Sequence, residues 1–479
     1  MSLTVVHLTA ELWPYARTGG LGQVAADLPV HQARCGATTA VILPLYRTAR
    51  EQVARLEPVG EPFRIRAGSL SEEVRGWELP RTGDGPRTVF LDHPPSFDRA
   101  GIYGEHGADY PDNAQRFAIF VLGALEVALR LGGPRPIIHA HDWHAALAPV
   151  YLRVTHADRP EFAQVPSVLS VHNGGFHGLF SRDTLPVIGL PDWLWSLEYM
   201  EWYGRLNFLK GGLTYADMVT TVSPTHAREM TTAVGGFGLD HTFRGLGDRL
   251  VGIRNGIDDQ VWDPATDPDL TANYGPDDLS GKARCKAALQ RAWNVPQRTR
   301  APIFAMSARL VTQKGLDIMV ASRALRGADA QFLFLGAGEP HFEAALGELA
   351  RLSPDRVGLN VNFTDRLEHR LLGGADFLLM PSLYEPCGLT QMRAQRYGAP
   401  PVGRSVGGLA DTIEDGVTGL LFDGYTPDAF DEAIQRALTL YADRKRYQEL
   451  QLAGMRRDFS WRKPLAQYTK VYQRALTRR

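Results

Sequence analysis

The chain is 479 residues long, too long for one ordinary domain, so two large domains are expected. It is 44% hydrophobic and 22% charged with a formal net charge of -1, the balance of a soluble globular protein and an argument against a broad nucleic-acid-binding surface. Three cysteines, Cys35, Cys285 and Cys387, cannot build a disulfide framework, and no run approaches the ~18 apolar residues of a membrane helix.

The opening "MSLTVVHLTAELWP" lacks a basic leader and a long apolar core, so no signal peptide is expected. With cysteine scarce, a cytoplasmic protein without a membrane partner is expected. In chain order, short apolar, β-rich runs follow at 3–9, 38–44, 87–92, 136–142, 166–173 and 217–223. Helix-length segments separate most of them. In 112–132, for example, Phe117, Phe120, Val121, Ala124 and Leu125 recur at helical spacing. Apolar strands alternating with helices predict a parallel sheet covered on both faces.

The stretch 249–281 is rich in Pro, Gly, Asp and Asn and reads as the crossing between two α/β domains. Beyond it the same grammar restarts. Buried strands are expected at 301–309, 330–338, 357–363, 375–382, 399–405 and 418–424, and a helix within 459–479. The expected fold is α/β: two doubly wound, Rossmann-like domains, 1–250 and 251–459, facing a deep cleft. The helix at 460–479 would complete the first. Loops at strand carboxyl ends would reach a shared ligand.

Five stretches offer chemistry. In "ARTGGLGQVAADLP", Leu21, Val24, Ala25 and Leu28 have helical spacing, so Gly19 and Gly20 stand just before a helix N-terminus. Unpaired amides there, with no Cβ in the way, suit a phosphate or a polar ring. The plainer alternative is a turn with two incidental glycines. In "SARLVTQKG", Arg309 offers a planar fork and Lys314 a point charge. Beside "GAG" (336–338) they would neutralise a diphosphate without a metal, unless both are solvated surface cations.

In "PSLYEPCGLTQMRAQRYG", Glu385 precedes Cys387 and Gly388, and a helix starts near Thr390. Amides at that start can receive phosphate, and Glu385 can accept from sugar hydroxyls. Cys387 has no basic neighbour in sequence and reads as a small packed or ligand-touching thiol. "HAHDWH" gathers His139, His141, Asp142 and His144 after a strand. Such clusters can bind zinc or iron, but here the acid directly follows the second histidine, one place earlier than in the H-x-H-x-D-H pattern. Core histidines and a helix cap near Asp142 are the alternative. "SVHNGGFHG" places His172 and Asn173 at another strand end, where a histidine can bond a sugar hydroxyl or act as an acid or base. Lys210, in "LNFLKGG", reads as helical and receives no role.

Taken in order, these stretches, with "NFLKGGLTYADMVTTVSPTHAREM", "NGIDDQVWDP" and "RYGAPPVGRSVGGLADTIED", resemble the bacterial glycogen synthase and plant starch synthase family across almost the whole chain. The resemblance implies a GT-B glycosyltransferase that moves glucose from a nucleotide sugar, usually ADP-glucose, to the non-reducing end of an α-1,4-glucan such as glycogen, with retention. It implies no metal and no cofactor beyond the donor. By position, Arg309 and Lys314 would hold the donor diphosphate and Glu385 the glucosyl hydroxyls. The amides around Cys387, Gly388, Leu389 and Thr390 would seat glucose and phosphate. His172 would sit by the anomeric centre and the 6-hydroxyl, with Asn173 beside it. Asp142 would lie near the reacting glucose, Asn255 at the domain crossing and Phe363 against the base. The Gly19–Gly20 loop would close over the phosphates.

The chain departs from the family pattern at Arg17, where lysine is usual, at Gln23, where an acid is usual, and at His177, where glutamine is usual. Phe363 stands where tyrosine is common and keeps stacking without the hydroxyl. Three other readings stay open: a related retaining transferase using UDP-glucose or a small acceptor, a metal-dependent hydrolase, and a non-catalytic glucan-binding protein.

Overall fold

A computed structural model describes residues 3–81, 83–131 and 135–479. The chain forms two compact units. One takes the chain up to Val222, with Ala227–Ile253 and Trp461–Arg479; the other takes Ser223–His226 and Arg254–Ser460.

The first unit is built on a ten-stranded sheet. Seven strands run parallel in the order Leu250–Gly252, Met218–Thr221, Ser167–Val171, Ile137–His141, Thr4–Leu8, Thr38–Pro44 and Arg87–Asp92. Strand order reverses beside the central Thr4–Leu8, so ligand-binding loops belong at the carboxyl ends of Thr4–Leu8 and Ile137–His141. Helix Asn113–Leu131 covers one face. A Cβ on its Gly123 would come within 2.7 Å of the Leu91 side chain, so a larger residue there would push the Leu91 methyls aside.

Two differences from the sequence reading stand out. The sheet is not parallel throughout: Leu70–Glu78 pairs antiparallel with Arg87–Asp92, and Glu57–Pro58 and Phe63–Ala67 pair with Leu70–Glu78. Alternating exposure along "FRIRA" shows why a search for wholly apolar runs passed these strands over. Leu250–Gly252, placed by sequence in the crossing stretch, is instead the edge strand beside Met218–Thr221. A small antiparallel sheet of Leu179–Phe180, Arg205–Asn207 and Glu201–Trp202 was not anticipated either.

The C-terminal helix Arg462–Thr477 belongs to this first unit. Tyr468, Val471, Tyr472 and Ala475 form its buried stripe at i, i+3, i+4 and i+7. It packs on helix Gly20–Arg34 and on strands Ser167–Val171 and Met218–Thr221.

The second unit holds a six-stranded parallel sheet, ordered Val357–Asn360, Gln331–Leu335, Ile303–Ser307, Phe377–Met380, Pro401–Arg404 and Leu420–Phe422. Each strand lies inside one of the six apolar runs read from sequence. Its order reverses at Ile303–Ser307 and Phe377–Met380, and the loops after these two strands carry Arg309, Lys314 and Glu385.

Candidate active site

In the second unit, two loops are drawn together by a close backbone approach. Gly315 adopts φ +79°, and a Cβ there would lie 2.1 Å from the Pro381 carbonyl oxygen. The Leu383 N–H donates to the Gln313 carbonyl at 2.9 Å. This contact delivers the Lys314 ammonium to Glu385, with Nζ 2.5 Å from Oε2. The Ser382 hydroxyl donates to the same oxygen at 3.1 Å. Glu385 is 4% exposed, so its charge depends on Lys314. An ammonium has three donors, and Glu385 uses one. Arg309, two residues past Ile303–Ser307, is exposed and makes no ion pair among the described residues.

The Gly388 backbone is left-handed at φ +69° and leads through Leu389 into helix Thr390–Arg396. Leu389 stands at the helix N-cap and offers no side-chain hydrogen bond to it. The Gln391 amide binds the carbonyls of Cys387 and Gly388 at 2.9 and 3.0 Å, holding this turn rigid. Burial pushes the Cys387 thiol up to about 12, against a backbone hydrogen bond from Asn255 and the charge of Arg254. A protonated thiol is no nucleophile, which fits a packed role. Asn255 is buried, and its Oδ1 has no hydrogen-bond partner among the described residues. Phe363 is 38% exposed beyond strand Val357–Asn360.

In the first unit, Asp142, His172 and Asn173 come together at the ends of two adjacent strands. Asp142 opens the short helix Asp142–Ala145 but does not cap it. Its carboxylate reaches across to the next strand end, accepting from the N–H of His172 at 2.6 Å and of Asn173 at 3.4 Å. The residue sits at φ +55°, a left-handed conformation that costs about 1 kcal/mol for an L-residue. Burial raises the Asp142 carboxyl to about 7, against the pull of those two amides. The Asn173 side chain accepts from the Gly175 N–H at 3.0 Å and shapes the following turn.

The glycine loop leaves the central strand Thr4–Leu8. Gly19 has an extended backbone, and a Cβ on Gly19 or Gly20 would meet nothing within 4 Å. The protein's own packing therefore does not require glycine at either position. The open space is what a closely approaching ligand would use. Arg17 is half-buried, and Gln23 donates to Asp27 at 3.0 Å along the helix.

Glu11, not singled out from sequence, holds this loop. Its carboxylate accepts from the Thr18 N–H (2.8 Å), the Thr18 hydroxyl (2.6 Å), the Gly19 N–H (3.1 Å) and the Tyr103 hydroxyl (2.7 Å). Glu11→Ala is expected to speed hydrogen exchange at the Thr18 and Gly19 amides by on the order of tenfold or more, because charge-assisted bonds are lost from both. Unchanged exchange there would show that the loop is held by other contacts.

The remaining sequence candidates are structural. His177 bonds the Gly174 carbonyl and the Asn207 amide and packs edge-on against Trp202. Lys210 donates to the carbonyls of Leu197 and Glu201, both at 2.6 Å. His7, His139 and His141 lie close enough to share a metal ion, but all of their ring nitrogens already have hydrogen-bond partners within the chain.

Residues 4–245 match the family model for the starch synthase catalytic domain, and 291–451 match that for group 1 glycosyl transferases. The chain is 43% identical over 478 residues to a glycogen synthase of Anaeromyxobacter dehalogenans, covering 98% of this chain and 99% of that one. It superposes on the catalytic domain of starch synthase IV from Arabidopsis thaliana, solved with ADP and acarbose, with a TM-score of 0.91 and 32% identity over all of both chains. Sucrose-phosphate synthase from Thermosynechococcus elongatus shares the fold alone, at 17% identity and a TM-score of 0.64.

Proposed function

The chain belongs to the family of bacterial glycogen synthases and plant starch synthases, glucosyltransferases of the GT-B fold, and from that membership we propose that its donor is ADP-glucose and its acceptor the non-reducing end of an α-1,4-glucan. The ADP in the Arabidopsis relative supports an adenine donor. The observation that carries the reading is the Lys314–Glu385 ion pair, set where the second sheet reverses order, with Arg309 exposed on the same loop.

Breaking the bond between the anomeric carbon and the diphosphate puts negative charge on the leaving group and positive charge on the sugar ring. Fixed cations act where that charge grows, and this is commonly the largest catalytic contribution. Glu385 orients the Lys314 ammonium and keeps acceptor capacity for sugar hydroxyls. Lys314 retains donors for phosphate oxygens, and Arg309 offers its fork. No metal is needed to neutralise the diphosphate in this scheme. Transfer proceeds on the front face, with the departing phosphate helping to deprotonate the acceptor hydroxyl. The family resemblance assigns Asp142 and His172 to the sugar and the Gly19–Gly20 loop to the phosphates. A cytoplasmic location accords with the few cysteines.

The test is release of nucleoside diphosphate from ADP-glucose or UDP-glucose, with and without glycogen. Glycogen-dependent ADP release, faster than UDP release by tenfold or more, is the expected result. Faster turnover of UDP-glucose would overturn the donor assignment. Glycogen binding without any ADP release would overturn catalysis.

A further inference from the structure

Beneath His172 the first sheet carries a file of polar side chains on one face. The parallel register sets His7 beside His139 and Ser170 beside Thr220. His141 lies two residues beyond His139 and so on the same face. Ring centroids are 4.8 Å apart for His7 and His139, 4.3 Å for His139 and His141, and 5.2 Å for His141 and His172. All of these side chains are buried, as are Gln32 and Tyr472.

The hydrogen bonds along this file run in one of two opposite directions, fixed by which way the Gln32 amide faces. Gln32 Nε2 donates to the Tyr472 hydroxyl at 2.7 Å, which leaves Gln32 Oε1 as the partner of His7 Nε2 at 2.8 Å. An amide oxygen only accepts, so His7 carries its proton on Nε2. Burial holds His7 down to about 4 despite that bond, and His141 and His172 are depressed by burial too. A neutral ring has one donor and one acceptor. His7 Nδ1 therefore accepts from His141 Nε2 at 3.0 Å, and His141 Nδ1 accepts from His172 Nε2 at 2.9 Å. The proton of His172 is then on Nε2, and its Nδ1 holds a lone pair.

The second branch agrees in direction. The Tyr472 hydroxyl accepts from Gln32, so its own proton goes to His139 Nδ1 at 2.9 Å. His139 Nε2 then donates to Ser170 Oγ at 2.7 Å, and Ser170 to Thr220 Oγ1 at 2.5 Å. Turning the Gln32 amide over would move the proton on every ring and make His172 Nδ1 a donor.

We propose that Gln32 and Tyr472 are positioning residues that set, through His7 and His141, which nitrogen of His172 carries the proton, so that Nδ1 is presented to the substrate as an acceptor for a hydroxyl. The use of that nitrogen rests on the reading of His172 as a substrate contact; the setting of the proton does not. The C-terminal helix thus reaches the chemistry through a chain of bonds, with Tyr472 at one end and His172 at the other.

The test is nitrogen NMR of the histidine rings in the full chain, together with kinetics, for Tyr472→Phe and Gln32→Met. In the unmodified protein His172 is expected to show a protonated Nε2 and an unprotonated Nδ1. Either variant removes what orients the Gln32 end, and a mixed tautomer at His172 should result. kcat/KM for the sugar nucleotide should fall about two- to fivefold, as expected when only part of the population is competent. Tyr472→Phe removes one oxygen and serves if Gln32→Met does not fold. His172 ring signals unchanged in a folded variant would overturn the proposal, even if its Tm is lowered. A changed tautomer with unchanged kinetics supports the setting of the proton and overturns instead the placing of His172 at the substrate.

Discussion

Replacing Arg309 or Lys314 by alanine is expected to lower kcat/KM on the order of 10² to 10³-fold, the range seen when one fixed group is removed from a site of developing negative charge. The two variants should differ in everything else. Arg309 is exposed and makes no ion pair among the described residues, so Arg309→Ala should leave Tm nearly unchanged and act on turnover alone. Lys314 is the countercharge of a glutamate that is only 4% exposed. Lys314→Ala strands that charge, and unfolding free energy should fall by about 2 to 4 kcal/mol. Lys314→Ala combined with Glu385→Gln should recover much of the stability and none of the activity. Near-normal turnover in either single variant would remove the phosphate role from that residue. A Lys314→Ala protein as stable as the parent would mean that the buried Glu385 does not depend on Lys314 for its place in the fold.

Acid should unfold this protein steeply between about pH 6.5 and 5. Burial depresses His7 and His172 to about 4, His144 to about 3, and His139 and His141 well below the usual range. Each stays unprotonated when folded and binds a proton when unfolded below pH 6.5. Their contribution is therefore complete above 6.5 and is lost as pH falls toward the folded values.

Asp142 works the other way. Its carboxyl, raised to about 7, keeps a proton in the fold that the unfolded chain releases above about 4, so it favours folding as pH falls. Five histidines against one carboxyl leave a net uptake of protons on unfolding below pH 6.5, so stability falls with pH there. Urea midpoints measured from pH 7 to 5 report that fall directly. His144 is the clean probe, because its Nδ1 is buried without a partner among the described residues and its ring packs on Trp143 and Tyr103. His144→Phe should reduce the uptake by about one proton and stabilise the fold below pH 6. A urea midpoint that does not move between pH 7 and 5 would contradict this account.

Much of the architecture was legible along the chain. All six strands of the second sheet lie within apolar runs, because a parallel strand covered on both faces needs apolar side chains on both. The charged alternation of Phe63–Ala67 marks a different kind of strand, solvated on one face, and period-two counting would have found it. Leu250–Gly252 offers three residues, too few for any period to show.

The candidate groups divide in the same way. Arg309, Lys314 and Glu385 were readable as residue types at strand ends, as were Asp142 and His172. That Lys314 and Glu385, 71 residues apart, form one partly buried pair was not. Glu11 gave no sign of its clamp, since Tyr103 is 92 residues away.

The sequence by itself determined the alternation of strands and helices, the places where loops carry charge, and the family likeness, because periodicity and motif spacing are local properties of the chain. Only the tertiary structure decided that Tyr472 of the last helix meets Gln32, 440 residues earlier, and that three histidines from two strands gather in one file beneath His172. Sheet register and helix packing set those contacts, and neither leaves a periodic mark in the residues that make them.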